Sequence, residues 1–303
     1  MTLFEETRPK TRVQWTLGNQ CNYNCTYCHE MFRKGDRPFP SEDLIAEVCK
    51  DIVYHFDDLG RDVVFEFIGG EPTLSGDVKE IGKRLHNHPT NIILKTNGSA
   101  SLEWWNDAKK YLSNVIISVH KEFCDLDHIN NVISLLLNSD NSHPINVEIL
   151  IPVTERPDHW KWGIDALHHY RSEFNLGNLQ MLYSNFARGS DIYFPYSELQ
   201  WAQYAELHGV SIPKSVDENN KLDRYNTVDL KVRDPLNFQG AKCYAGIDTL
   251  TIDYNGRVWR GWCAHGGPIG SIYELPIQFP TEPTICTLPR CGNGFDQQAR
   301  KER

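Results

Sequence analysis

The chain has 303 residues, enough to bury one large core with an appendage but too few for two full-sized domains. Its 40% hydrophobic and 23% charged residues suit a soluble globular protein, with no apolar run of membrane-spanning length. A net charge of −9 gives no global basic field for nucleic acid.

The first ten residues lack a signal-like apolar stretch, so a cytoplasmic, reducing location is expected. There, nine cysteines point to metal or redox chemistry in preference to disulfides. A first strand is expected over residues 12–17. It runs into Cys21, Cys25 and Cys28, spaced Cys-x3-Cys-x2-Cys on one loop. Thiolates at this density suit zinc or an iron–sulfur cluster, and a count of three favours the cluster, because only His29 is near enough to close a zinc tetrahedron and it adjoins Cys28.

Strand-like runs follow at 63–68, 91–95, 114–119, 145–151 and 178–183. Helical periodicity appears at about 42–58, 76–87, 101–111, 125–138 and 157–173, with Ser41 as an N-cap and Cys49 as buried core. This alternation predicts an α/β fold with a parallel sheet, and six strands make an open partial barrel, not a closed one of eight. Residues 186–240 lose the rhythm and read as an irregular, partly helical linker. Asn255-Gly256, between two short alternating runs over 250–259, predicts a hairpin with a type I′ turn.

Active sites of such folds lie at the carboxyl ends of the strands. The second strand ends in Gly69-Gly70-Glu71-Pro72, where glycines allow close backbone approach to a ligand and Glu71 can accept a hydrogen bond from an ammonium. The third ends in Lys95-Thr96-Asn97 and the fourth in Ser118-Val119-His120. His120 reads equally as a substrate-facing or a structural imidazole, and Cys124 as core.

The cysteine triplet, with the aromatic Tyr27 just before Cys28, resembles the signature of the radical S-adenosylmethionine (SAM) superfamily, and Gly69-Gly70-Glu71-Pro72 resembles that superfamily's GGEP motif. The resemblance implies a partial (β/α)6 barrel and a [4Fe-4S] cluster on Cys21, Cys25 and Cys28 whose open iron is chelated by SAM. It further implies that Gly69, Gly70, Glu71 and Pro72 hold the amino group of SAM, that Thr96, Asn97 and Ser118 lie beside the SAM pocket, and that Glu148, Ile151 and Pro152 flank adenine. An outside one-electron reductant such as flavodoxin or ferredoxin is implied as a partner.

Cys243, Cys263, Cys286 and Cys291 form a second group. Alone they suit a four-cysteine zinc site. Cys243 and Gly246 ahead of the hairpin resemble the twitch domain, a shortened SPASM domain that ligates one auxiliary [4Fe-4S] cluster, although Gly292-Asn293 follows Cys291 where related tails carry another cysteine. The expected organisation is a barrel over 1–185, a linker over 186–240 and a twitch-like domain over 241–303. Three functions compete: a small-molecule dehydrogenase or bond-forming enzyme, a peptide or protein maturase, and a zinc-bound interaction protein. The short segment before the first strand weighs against the maturase.

Overall fold

The computed structural model describes residues 8–75, 77–85, 88, 90–138, 144–185, 192–209, 237–289, 291 and 293–303. Six parallel strands, β1 (Lys10–Thr16), β2 (Asp62–Ile68), β3 (Thr90–Thr96), β4 (Asn114–Ser118), β5 (Asn146–Val153) and β6 (Asn178–Met181), alternate with α1 (Glu42–Asp58), α2 (Asp77–Leu85), α3 (Leu102–Ala108), α4 (Leu126–Leu137) and α5 (Pro157–Phe174). These six strands lie side by side in an open sheet, as the count of six predicts. Among the described residues no helix is long and apolar enough to cross a membrane.

Local chemistry sets the helix ends. Ser41 caps α1 by accepting a hydrogen bond from the Leu44 N–H, and α5 starts with Pro157 and stops at Asn175 in the left-handed conformation. Strand alternation then separates two faces. Val13, Trp15, Phe65, Phe67, Leu94, Ile117 and Ile149 are fully buried against the helices, where each such side chain contributes ~1.5–3 kcal/mol. Their alternates face the other way and include charged and polar side chains. Arg12 pairs with Glu66 at 3.3 Å, and Gln14 donates to Glu66 at 2.8 Å.

Past β6 lie β7 (Tyr183–Asn185), β8 (Ile192–Tyr193) and α6 (Glu198–His208), the last closed by a capping box between Ser197 and Gln200. Much of the expected 186–240 linker lies outside the described residues. The C-terminal part contributes β9 (Lys242–Cys243), β10 (Thr249–Ile252), β11 (Arg257–Trp259), β12 (Gly270–Ser271), β13 (Thr284–Ile285) and β14 (Lys301–Glu302).

Two expectations are corrected here. The hairpin at 250–259 is not set apart from the barrel: β10 pairs in parallel with β1, giving one nine-stranded sheet in the order β12-β11-β10-β1-β2-β3-β4-β5-β6. Leu250, Ile252 and Val258 belong to the main core, because the free edge of β1 would otherwise leave its backbone unpaired. The turn is also not type I′. Asn255 is not in the left-handed region; only Gly256 is, at φ 76°, and the Asp253 carboxylate accepts from the N–H groups of Asn255 and Arg257.

The join is fixed by a buried ion pair with a more exposed third member. Asp248 takes Arg61 at 2.9 Å on one oxygen and Arg300 at 2.9 Å on the other, and Arg61 also donates to Thr11 at 2.8 Å. Arg61, which also holds β1, and the C-terminal segment at Arg300 are thereby tied to the same carboxylate.

Candidate functional site

Cys21, Cys25 and Cys28 occupy the loop leaving β1, at the carboxyl edge of the sheet. Burial pushes all three thiols up, Cys25 to about 12 and Cys28 to about 11, and each lies close enough to another that a second negative charge would add to the rise. Thiols so placed become thiolates only opposite a cationic group. Among the described residues no three His, Cys, Asp or Glu side chains close around a single point as one metal ion requires. Three soft thiols on one loop have the donor chemistry that suits a cubane, each thiolate meeting a different iron.

The Gly69-Gly70-Glu71 turn holds this loop in place. A Cβ on Gly70 would meet the Gln20 carbonyl oxygen at 2.0 Å, and the Glu71 N–H donates to that same oxygen at 2.7 Å. With φ of 92° and 53°, Gly69 and Gly70 are therefore needed for backbone packing against the cysteine loop itself. Pro72, also buried, opens the short 3-10 turn that follows.

The Glu71 side chain is wholly buried, and its oxygens are already occupied. One accepts from the Thr73 N–H at 3.0 Å, the Thr73 hydroxyl at 2.8 Å and the Thr96 hydroxyl at 2.7 Å; the other accepts from the Asn97 N–H at 2.6 Å. The carboxylate thus forms an internal clamp between the ends of β2 and β3, with the second oxygen holding a single donor. Burial raises the Glu71 pKa, and the four donors oppose that rise. Asn97 extends the clamp, with its amide donating to Asn22 at 2.9 Å and lying 3.9 Å from the Cys21 sulfur.

Beyond β4 a second support meets the loop. The Glu122 carboxylate accepts from the Thr26 N–H at 2.7 Å and its hydroxyl at 2.5 Å. Tyr27 packs against the His120 ring, their hydroxyl and Nδ1 2.8 Å apart, and meets His159 edge-on. Burial and then the Lys95 charge drive the His120 pKa down to about 4, so its imidazole is neutral. His120 is thus a neutral hydrogen-bonding partner of the cysteine loop. Ser118 faces the same side as the site, with Val115 and Ile117 in the core behind it. Ile151 does not: its side chain is fully buried among the helices, because it has the parity of Ile149, whereas Asn146, Glu148, Leu150 and Pro152 face the open side of β5.

The four C-terminal cysteines come together, although the first and last lie 48 positions apart. Cys243 on β9 packs with Cys286, beside β13, and Ala299, and Cys263 and Cys291 each lie close enough to Cys243 to feel its charge. Burial raises Cys263 to about 11 and Cys291 to about 12. The buried Asp296 carboxylate accepts from the N–H groups of Trp262 at 2.8 Å and Cys263 at 2.6 Å. Sequence reasoning missed Asp296, which sits in no recognisable spacing, and Lys95, Glu66 and Arg12, whose signal was charge at alternate positions of otherwise apolar strands.

Comparison with known proteins agrees with this geometry. Residues 15–130 match the radical SAM superfamily, so the chain carries a radical SAM domain, which implies a [4Fe-4S] cluster and SAM. A probable GTP 3′,8-cyclase of Thermococcus kodakarensis is 35% identical over 114 residues, covering 37% of this chain and 36% of the relative. A pre-heme d1 synthase of Dinoroseobacter shibae is 33% identical over 93 residues, covering 30% of this chain and 22% of the relative. The matched stretch thus spans about a third or less of these curated relatives. In fold, the chain resembles the solved structure of anSMEcpe with bound AdoMet (TM-score 0.53, 15% identity, 88% of this chain and 79% of that one). It likewise resembles Streptococcus suis SuiB bound to S-adenosylmethionine (TM-score 0.54, 14% identity, 88% of this chain and 64% of that one).

Proposed function

We propose that this protein is a radical SAM enzyme that cleaves SAM reductively, abstracts a hydrogen atom from a small-molecule substrate and oxidises the substrate radical through a second cluster on Cys243, Cys263, Cys286 and Cys291. The observation that carries the reading is the cysteine loop gripped from two strand ends by Glu71 and Asn97. When bound, the first cluster supplies the electron that breaks the S–C5′ bond of SAM, giving methionine and a 5′-deoxyadenosyl radical.

The chain's own part is positioning. The Glu71 clamp and the Glu122 contact to Thr26 fix the three thiols relative to the sheet, so the distance from cofactor to substrate is set by rigid strands. Tyr27 and His120 wall the loop on the β4 side. Four gathered C-terminal thiols are enough to satisfy every iron of a cubane, which favours electron acceptance over direct substrate binding and a two-electron oxidation or bond formation as the net reaction. A relative whose name includes GTP favours a small molecule. The fold neighbour SuiB, solved with a precursor peptide, keeps the maturase as the second reading.

Anaerobic reconstitution tests the proposal. The expected outcome is a brown protein absorbing near ~400 nm with about eight irons per chain, which forms 5′-deoxyadenosine from SAM under a one-electron reductant. A colourless, zinc-loaded protein that leaves SAM intact would overturn it.

A further inference from the structure

The open face of the sheet carries two unmet charges of opposite sign. Lys95, the penultimate residue of β3, alternates with the core residues Ile92 and Leu94 and so faces this side. Its ammonium makes no hydrogen bond or ion pair among the described residues, although it has three protons to donate. Burial lowers its pKa, with Glu66 and Glu148 opposing the change. Glu66 is already committed to Arg12 and Gln14, which leaves Glu148.

Glu148 lies in the same layer. Lys95 pairs in register with Ile116, and Ile116 with Glu148, so the two charged residues stand two strand spacings apart, about 10 Å between Cα atoms. The amides of Asn114 and Asn146 both donate to one carboxylate oxygen of Glu148, at 2.9 and 3.3 Å; the second oxygen accepts from none of the described residues. No ion pair joins Lys95 to Glu148 among the described residues. Lys95 is half-buried, so its unpaired ammonium is only partly hydrated and a ligand that supplies an anionic partner is favoured. The gap between these groups, floored by the apolar Ile116, takes a molecule that brings both signs.

We propose that this face binds a zwitterionic substrate group, with an anionic oxygen on Lys95 and an ammonium on Glu148. The assignment rests on the enzymatic reading above and gives its substrate a chemical class: an amine and a carboxylate or other oxyanion on one small scaffold. A neutral substrate would leave both charges unmet, and a purely anionic one would face the open Glu148 oxygen.

Isothermal titration of the reconstituted holoprotein with SAM bound tests this, using 4-aminobutyrate, butyrate and butylamine as probes. The zwitterion is expected to bind about tenfold more tightly than either singly charged probe. Lys95→Met and Glu148→Gln should each abolish that preference, and Lys95→Arg should keep it; the Glu148 variant decides the matter should Lys95→Met fail to fold. Equal binding of the three probes, no binding of any, or an unchanged preference in a folded variant would overturn the site. The wild-type protein is assayed in parallel for 5′-deoxyadenosine. A protein that prefers 4-aminobutyrate yet forms none keeps the site and overturns the enzymatic reading.

Discussion

The two cysteine groups reach similar ends by different means. Cys21, Cys25 and Cys28 lie within one turn-rich loop, so local sequence brings them together and the sheet has only to hold that loop. Cys243, Cys263, Cys286 and Cys291 are dispersed, and tertiary structure gathers them through β9, β13 and β14. In both places one buried carboxylate organises the backbone: Glu71 accepts from the N–H groups of Thr73 and Asn97, and Asp296 from those of Trp262 and Cys263. A buried acid surrounded by amide donors is a rigid anchor, because removing it strands several donors together.

The largest expected effect separates the two groups outright. Replacing Cys21, Cys25 and Cys28 together with Ala should abolish 5′-deoxyadenosine formation while about half the iron remains, four atoms per chain by a colorimetric assay. Loss of all iron would mean that the two groups are not independent, a live alternative given that one sheet runs through both regions.

That shared sheet is itself open to attack. Arg61 and Asp248 are nearly buried, and Asp248 also holds Arg300. Arg61→Met leaves the carboxylate with its buried partner gone and is expected to cost ~3–5 kcal/mol in urea unfolding of the apoprotein. A change under ~1 kcal/mol would show that the C-terminal region is held mainly by the β1–β10 pairing.

Glu71→Gln is a finer probe. Three donors converge on one oxygen and one on the other, so the Gln amide must direct its N–H2 at a donor wherever it points. A loss of ~2–3 kcal/mol is expected, together with weaker iron retention at the first site. Full stability with selectively weakened SAM affinity would instead restore Glu71 as a ligand of the SAM amino group.

These contrasts also explain what the sequence disclosed. The strands and helices of the barrel were legible because each βα unit carries its own periodicity, with Ser41 and Asn255-Gly256 marking an end and a turn. The attachment of β10 to β1 was not, since it joins residues more than two hundred positions apart and leaves no local pattern. Glu71 was visible through its motif, yet its clamp was not, because its four internal donors come from two strand ends. Lys95 passed as an ordinary polar residue beside Thr96, and only the register of β3, β4 and β5 sets it opposite Glu148.

The smallest effect concerns His120, which touches the cysteine loop but neither of its anchoring carboxylates. Its folded pKa of about 4 lies below the ordinary 6.5, through burial first and the Lys95 charge second. Below pH 6.5 the unfolded chain therefore takes up a proton that the folded protein refuses, and stability falls as pH drops toward 4. The ring is half-buried, so solvent screening trims the full linkage to ~1–2 kcal/mol over that window. His159 and His55 are shifted the same way, so the wild-type slope is shared among several imidazoles. The difference between wild type and His120→Gln isolates one of them: unfolding free energies of the apoproteins at pH 7 and pH 5 should diverge, with the variant losing less on acidification. Parallel losses would mean that His120 is solvated in solution and that Tyr27 does not hold it against the loop.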